Sequence, residues 1–190
     1  MENESLIGEG VRQAAALMEI AARTAPKSRG EDFIEIRLLF GDKIAELSGA
    51  MIRFGREKGK ANFDRDGGSV AASRAVVLIG LSNSTSLGLN CSACGYANCA
   101  AFDSAPAVEG DFRGPICAYR LTDLGIAVGS AVKTAQSLNI DNRIMYRIGV
   151  AARCMGIVDW DFALGIPLSV TGKNIFFDRP NLQQYPPNRV

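Results

Sequence analysis

The chain has 190 residues, 47% of them hydrophobic, with a formal net charge of +1, which suits one compact domain with a sizeable core. That near-neutral balance offers no basic face for a nucleic-acid backbone and no polybasic segment for an anionic membrane, so small molecules or proteins are the expected partners. A count of zero histidines removes Ser-His and Cys-His nucleophile pairs, imidazole bases and mixed Cys/His zinc sites. Proton transfer is left to carboxylates, Lys, Tyr or Cys, or the difficult chemistry to a cofactor.

The opening MENESLIGEGV is acidic and lacks the cationic start and apolar run of a secretion signal. No later stretch approaches membrane-spanning length, so a cytoplasmic protein is expected. From about residue 4 to 24, Ile7, Val11, Ala14, Ala15, Met18, Ala21 and Ala22 recur at helical spacing, and Pro26 stops the helix. In FIEIRLLF, Ile34, Ile36 and Leu38 alternate with Glu35 and Arg37 as a half-buried strand requires. Gly41 and Asp42 turn the chain into a second helix with Ile44, Leu47, Met51 and Phe54 on its buried face, ending near Gly55 in the basic run REKGK.

RDGGSVAAS reads as a turn, and AVVLIGL (75–81) as a strand buried on both faces. Residues 103–116, with Pro106, Gly110, Gly114 and Pro115, read as a loop leading to Cys117. LTDLGIAVGSAVKTAQSLN reads as a helix rich in Gly, Ala and Ser, a composition that trades helix propensity for close backbone approach. Asp141 or Asn142 is placed to cap a further helix with Ile144, Ile148, Ala151, Ala152 and Met155 on one face and Gly156 at its end. DFALGIPLSV reads as a strand, and the proline-bearing tail from about 177 to 190 as an arm.

The chemistry gathers at LNCSACGYANCAAF, where Cys91, Cys94 and Cys99 are spaced C-x2-C-x4-C, with Cys117 to follow. Thiols stay reduced in the cytoplasm, so such a cluster points to a metal before a disulfide. Four thiolates near one point repel unless a cation or an iron–sulfur core neutralises them. Zinc sites of four cysteines favour two short C-x2-C pairs, whereas a tight triplet with one remote cysteine suits a 4Fe-4S cluster. Zinc and unliganded thiols remain the alternatives. Gly95, Ser92, Ala93 and Ala97 are small enough to bring backbone N–H groups to the sulfurs.

Other candidates have plainer readings. Cys154 is expected to be a buried small hydrophobe. Asp123 is expected in the cap or first turn of the small-residue helix. Asp159 and Asp161 have no partner evident in the sequence, and Trp160 and Tyr146 are expected in core or interface rather than stacked on a ligand. Gly8, Gly10, Gly67 and Gly68 form no phosphate-binding fingerprint, and Lys173 has no Walker-type surroundings.

NCSACGYANCAAF followed by a remote cysteine resembles the small four-cysteine 4Fe-4S domain of several electron-transfer and corrinoid proteins. The stretches APKSRG, CSACGYANC, DLGIAVGSAV, DNRIMYRIGVAA and GIPLSVTGKNIFFDR resemble a family of prokaryotic proteins containing a ferredoxin domain. That family is in turn similar to the nitroreductases, FMN enzymes that form intertwined homodimers. The resemblance implies a single α+β domain over 1–190, with helices flanking one mostly antiparallel sheet. It also implies a Cys-rich segment at about 88–118 inserted after the second strand, and a dimer helix after Thr122.

Arg23, Lys27, Ser28 and Arg29 are the residues available for an FMN phosphate under that likeness. Cations at a helix C-terminus that simply complement its dipole are the alternative. Three functions stay open on these residues. The first is a 4Fe-4S electron-transfer protein, a homodimer serving a redox partner protein or a small-molecule acceptor. The second is a flavin-linked oxidoreductase with an accessory cluster. The third is a non-catalytic protein whose iron–sulfur or zinc centre staples the 103–116 loop and supports an interaction surface.

Overall fold

The computed structural model describes residues 2–177. The C-terminal arm expected at about 177–190 lies, apart from Phe177, outside the described residues. Helix α1 (Glu2–Thr24) buries Val11, Ala14, Ala15, Met18 and Ala22, the expected stripe, while Ile7 stays exposed. Its end is capped from beyond Pro26, where Lys27 Nζ donates to the carbonyls of Ala22 and Arg23. A single 3-10 turn (Ser28–Gly30) leads to strand β1 (Ile34–Leu39). Gly41, at φ +56°, turns the chain into α2 (Asp42–Glu57), which buries Ile44, Leu47 and Met51.

The next segment differs from expectation. RDGGSVAAS is no turn, because most of it forms helix α3 (Phe63–Ala71). Its glycine serves packing. A Cβ on Gly67 would stand 2.9 Å from Ile52 Cγ1 and 3.2 Å from the Ser48 carbonyl, and Ser48 Oγ donates to the Gly67 carbonyl at 2.9 Å. Close approach to α2 thus outweighs the poor intrinsic helix propensity of glycine.

Strand β2 (Ala75–Leu81) is buried along its whole length. After it come the short helix α4 (Cys99–Asp103) and a two-stranded ribbon, β3 (Val108–Glu109) with β4 (Arg113–Gly114), where a plain loop was expected. Helix α5 (Ala118–Ser137) follows. Asp141 and Asn142 do not cap a helix. They form β5 (Asp141–Asn142), pairing with Ser169 and Leu168, and Met145 stands at the N-terminus of α6 (Tyr146–Cys154). Gly156, at φ +67°, lies just past that helix, and β6 (Phe162–Ser169) completes the set.

The main sheet runs β1-β2-β6-β5 with every pair antiparallel. Ile36 faces Ile79 across one pair, and Val77 faces Ile166 across the next. Alternation along β2 sends Val77 and Ile79 into the layer under α1 and α5, and Val76 and Leu78 into the layer under α2, α3 and α6. Each such fully buried aliphatic side chain contributes about 1.5–3 kcal/mol. Helices α1 and α5 meet through alanines, among them Ala14, Ala15 and Ala22 against Ala127, Ala131 and Ala135. The architecture is the expected α+β one, an antiparallel sheet flanked by helices. Among the described residues no helix is long and apolar enough to cross a membrane.

Candidate metal centre

Between Arg74 and Asp103 the sequence carries no charged residue, and this neutral stretch leaves the end of β2 as a strap over the start of α5. Asp161 accepts from the Ser84 N–H at 2.9 Å, and the Ser84 carbonyl accepts from the Cys117 N–H at 3.2 Å. Asp103 accepts from both the N–H and the hydroxyl of Ser86. Arg120 Nε donates to the Thr85 carbonyl at 3.4 Å and Arg29 Nη1 to the Leu87 carbonyl at 3.1 Å. Leu87 and Phe102 pack on Cys117, and Tyr96 meets Phe102 edge-on with centroids 5.4 Å apart.

Cys91, Cys94, Cys99 and Cys117 all line one pocket, together with Leu87, Leu89 and Tyr119. Cys117 is buried at its foot, Cys94 and Cys99 are half-buried, and Cys91 is exposed at its mouth. The loop between them winds tightly. Asn90, Ser92 and Gly95 take φ of +50°, +57° and +86°, and Gly95 N–H closes a turn on the Ser92 carbonyl at 2.9 Å. Cys117 is the N-cap residue of α5, where the helix dipole favours negative charge.

The donor set fits a thiolate-bound metal centre. Asn90 N–H already points at Cys99 Sγ, 3.2 Å away, the kind of backbone contact that moderates charge on a ligating sulfur. Among the described residues no three Cys, Asp or Glu side chains converge on the position of a single ion. A tetrahedral zinc site needs four donors about 2.0–2.3 Å from one point, whereas a polynuclear core takes one thiolate at each of several metal atoms. The expected four cysteines thus line one pocket.

The basic set is not brought together in this way. Arg23 Nη1 binds Asp32 at 3.0 Å and the Ile34 carbonyl at 2.6 Å, and Lys27 caps α1 as described. Ser28 gives both its N–H and its hydroxyl to Asp123 Oδ1, at 3.0 and 2.8 Å. Arg29 alone reaches the cysteine site, through the Leu87 carbonyl.

Several expectations are corrected here. Asp123 is not in the first turn of its helix but buried further along it, tying α5 to the 3-10 turn. Asp159 and Asp161 do have a partner, because Arg113 reaches them at 3.1 and 2.9 Å while also binding Glu109 at 2.6 Å. Those bonds, with Glu109 foremost, raise the Arg113 pKa further above its ordinary value and hold the Glu109 carboxyl below its own. They also pin the ribbon to the segment between α6 and β6. Cys154 is exposed rather than buried, because α6 spends its inward face on Ile148, Gly149, Ala151 and Ala152. Trp160 is core, as expected, lying against Gly80.

Sequence reasoning missed Arg120 and Glu31. Arg120 is buried, pairs with Glu31 at 2.7 Å and lies 4.2 Å over the Phe33 ring. The signal was its position three residues after Cys117 in an otherwise small-residue helix.

Residues 113–179 match the family model described as "uncharacterized protein containing a ferredoxin domain (DUF2148)". A protein from Archaeoglobus fulgidus, itself described only as uncharacterized, is 48% identical over 171 residues, spanning 90% of this chain and 92% of that one. The chain belongs to this ferredoxin-domain family. Within it, the matched region takes in Cys117, α5, α6 and β6.

The family member's fold is similar to solved nitroreductases. The FMN-dependent nitroreductase NfnB from Mycobacterium smegmatis, in complex with NADPH, aligns with a TM-score of 0.56 at 10% identity, over 85% of this chain and 78% of that one. Nitroreductase CinD from Lactococcus lactis, in complex with nicotinic acid, gives 0.54 at 13% identity over 92% and 86%. A nitroreductase with bound FMN from Desulfitobacterium hafniense gives 0.54 at 11% over 85% and 78%. Likeness at these identities is one of fold. The family's description, a ferredoxin domain, suggests a redox function.

Proposed function

We propose that this protein is an iron–sulfur electron-transfer protein in which Cys91, Cys94, Cys99 and Cys117 hold a 4Fe-4S cluster. The observation that carries the reading is that two cysteines of one loop, a third at the start of α4 and a fourth at the start of α5 line a single pocket. When bound, such a cluster supplies one-electron transfer. The chain's own residues bind and shield it. Leu87 and Phe102 keep water from the Cys117 side, the α5 N-terminus and the Asn90 N–H meet negative charge, and Cys91 with Leu89 leaves an exposed edge toward a redox partner protein or small-molecule acceptor.

The protein acts as a homodimer in a reducing, cytoplasmic setting under this reading. Leu17 and Ile20 of α1 and Leu121 and Ile126 of α5 are exposed apolar residues on the helices of one layer. Gly125 and Gly129 leave open space on α5 where a second copy can approach. An added FMN is supported by the fold likeness alone, since Arg23, Lys27 and Ser28 already have internal partners.

Anaerobic purification with iron, acid-labile sulfide and visible-spectrum analysis tests the reading. Near four irons and four sulfides per chain with a broad brown absorption is expected, and Cys117→Ala should abolish it. One zinc per chain without colour would overturn the redox reading in favour of a structural centre.

A further inference from the structure

The strap behind the cysteine pocket is held by two guanidiniums that share one carboxylate. Arg120 binds the Thr85 carbonyl and Arg29 the Leu87 carbonyl, and both turn to Glu31, at 2.7 Å from Arg120 Nη2 and 4.0 Å from Arg29 Nε. Glu31 is the carboxylate that both guanidiniums face, while the buried Asp123, three residues along α5, binds Ser28 and Asp103 binds Ser86 on the strap itself. The two guanidiniums are not alike, because the Arg29 side chain is 59% exposed and that of Arg120 only 2%.

Arg120 Nη1 is buried and has no hydrogen-bond partner among the described residues. Burying a cation with an unused N–H is costly, and an apolar side chain could fill the same space beside Phe33 at no such cost. The placement gives the charge a use. Residues three apart share a helix face with Cβ atoms about 5–6 Å apart, and helical side chains lean toward the N-terminus. Arg120 thus follows Cys117 by three residues and, through Nε, meets the Thr85 carbonyl beside Ser86, which lines the pocket with Cys117, while the segment between Arg74 and Asp103 carries no charge.

We propose that Arg120 is a positioning residue that raises the reduction potential of the centre, with Glu31 setting how much of its charge the centre feels. The proposal rests on the 4Fe-4S reading above. Taking up one electron from an external one-electron reductant adds one negative charge at the cysteines, and a buried cation nearby favours that form in a site of low effective permittivity. Glu31 moderates the effect from the solvent side.

A purely structural clasp makes a different prediction, because loss of either partner would then loosen the strap and admit water, moving the potential in one common direction. The experiment is a dithionite titration of the iron-loaded protein, followed by visible and electron paramagnetic resonance spectra, for wild type, Arg120→Gln and Glu31→Gln. Arg120→Gln is expected to lower the midpoint potential and Glu31→Gln to raise it, with Arg120→Lys closer to wild type than Arg120→Gln. Should Arg120→Gln fail to assemble a centre, the exposed Arg29→Gln carries the same downward sign at smaller size. Shifts of one common sign, or none, at full iron content would overturn the proposal alone. Wild-type protein without iron and sulfide would overturn the redox reading and this proposal with it.

Discussion

Asn90 and Cys99 hold each other by two reciprocal bonds. The Asn90 N–H donates to Cys99 Sγ at 3.2 Å, and the Cys99 N–H donates to Asn90 Oδ1 at 2.9 Å. The contact fixes both the sulfur and the first residue of α4, and it needs Asn90 at φ +50°, where asparagine is tolerated better than most residues.

Asn90→Ala should therefore cost the cluster-free protein roughly 2 kcal/mol, about 1 for the lost side-chain bond and about 1 for the left-handed backbone. Asn90→Gly should cost about 1 kcal/mol, since it loses the bond and relieves the backbone. Denaturant midpoints at constant slope measure both. In the loaded protein, release of metal to a chelator should quicken in the order wild type, Gly, Ala. Equal behaviour of the two variants would mean that the backbone angle does not matter here.

Asp123 is the acceptor for the Ser28 N–H and hydroxyl at 3.0 and 2.8 Å, and it is buried. Asp123→Ala leaves the half-buried Ser28 N–H and hydroxyl without their shared acceptor, so a loss of about 1–3 kcal/mol is expected. Asp123→Asn, which can present its amide oxygen to the same donors, should retain a good part of that, and Ser28→Ala should lose only about 1 kcal/mol. Chemical denaturation of the three variants checks the ranking. A Ser28→Ala loss as large as that of Asp123→Ala would shift the weight from the N–H to the hydroxyl.

The parts of this molecule that sequence made plain are those whose period is local. The apolar run of β2, the alternation in β1 and the helical stripe from Val11 to Ala22 each declare an element within one turn or one pleat. The α3 helix did not, because Gly67 and Gly68 argue for a turn until Ser48 and Ile52 are known to lie against them. Asp141 and Asn142 were equally opaque, since a two-residue strand has no period and its pairing with Ser169 is a tertiary fact. That the four cysteines gather was legible, because their spacing is short and Cys117 lies just before a helix. Arg120 was not, because a lone arginine in a helix reads as solvated until Cys117 is seen to start that helix. The reach of Arg113 to Asp161 spans a separation no local pattern encodes.

Acid should find two weak points. The hydrogen bond from Arg120 holds the Glu31 carboxyl below its ordinary value of 4.5, and that from Arg113 does the same for Glu109. Both carboxyls bind protons more readily in the unfolded chain. The stability that these pairs contribute is therefore complete above pH 4.5 and is lost as pH falls through the lower folded values. Glu109→Gln and Glu31→Gln should each have a lower denaturation midpoint than wild type at neutral pH, with the gap closing as pH falls below 4.5 and narrowing in salt. A gap that persists undiminished in acid would assign the loss to packing instead.

Cys154 gives an internal count of the ligands. It is exposed at the end of α6, far in sequence from the other four cysteines, which line one pocket. A thiolate bound to metal is a poor nucleophile toward an alkylating agent, whereas a free exposed thiol reacts. Iodoacetamide applied to the native, metal-loaded protein should therefore modify Cys154 alone, and Cys154→Ser should remove the reaction. After chelation, Cys91 should react first, since it is exposed, with Cys94 and Cys99 following and the buried Cys117 last. Peptide mapping by mass reads the order directly. Modification of Cys117 in the loaded protein would mean that the α5 cysteine is not a ligand, and a fourth donor would have to come from elsewhere around the pocket.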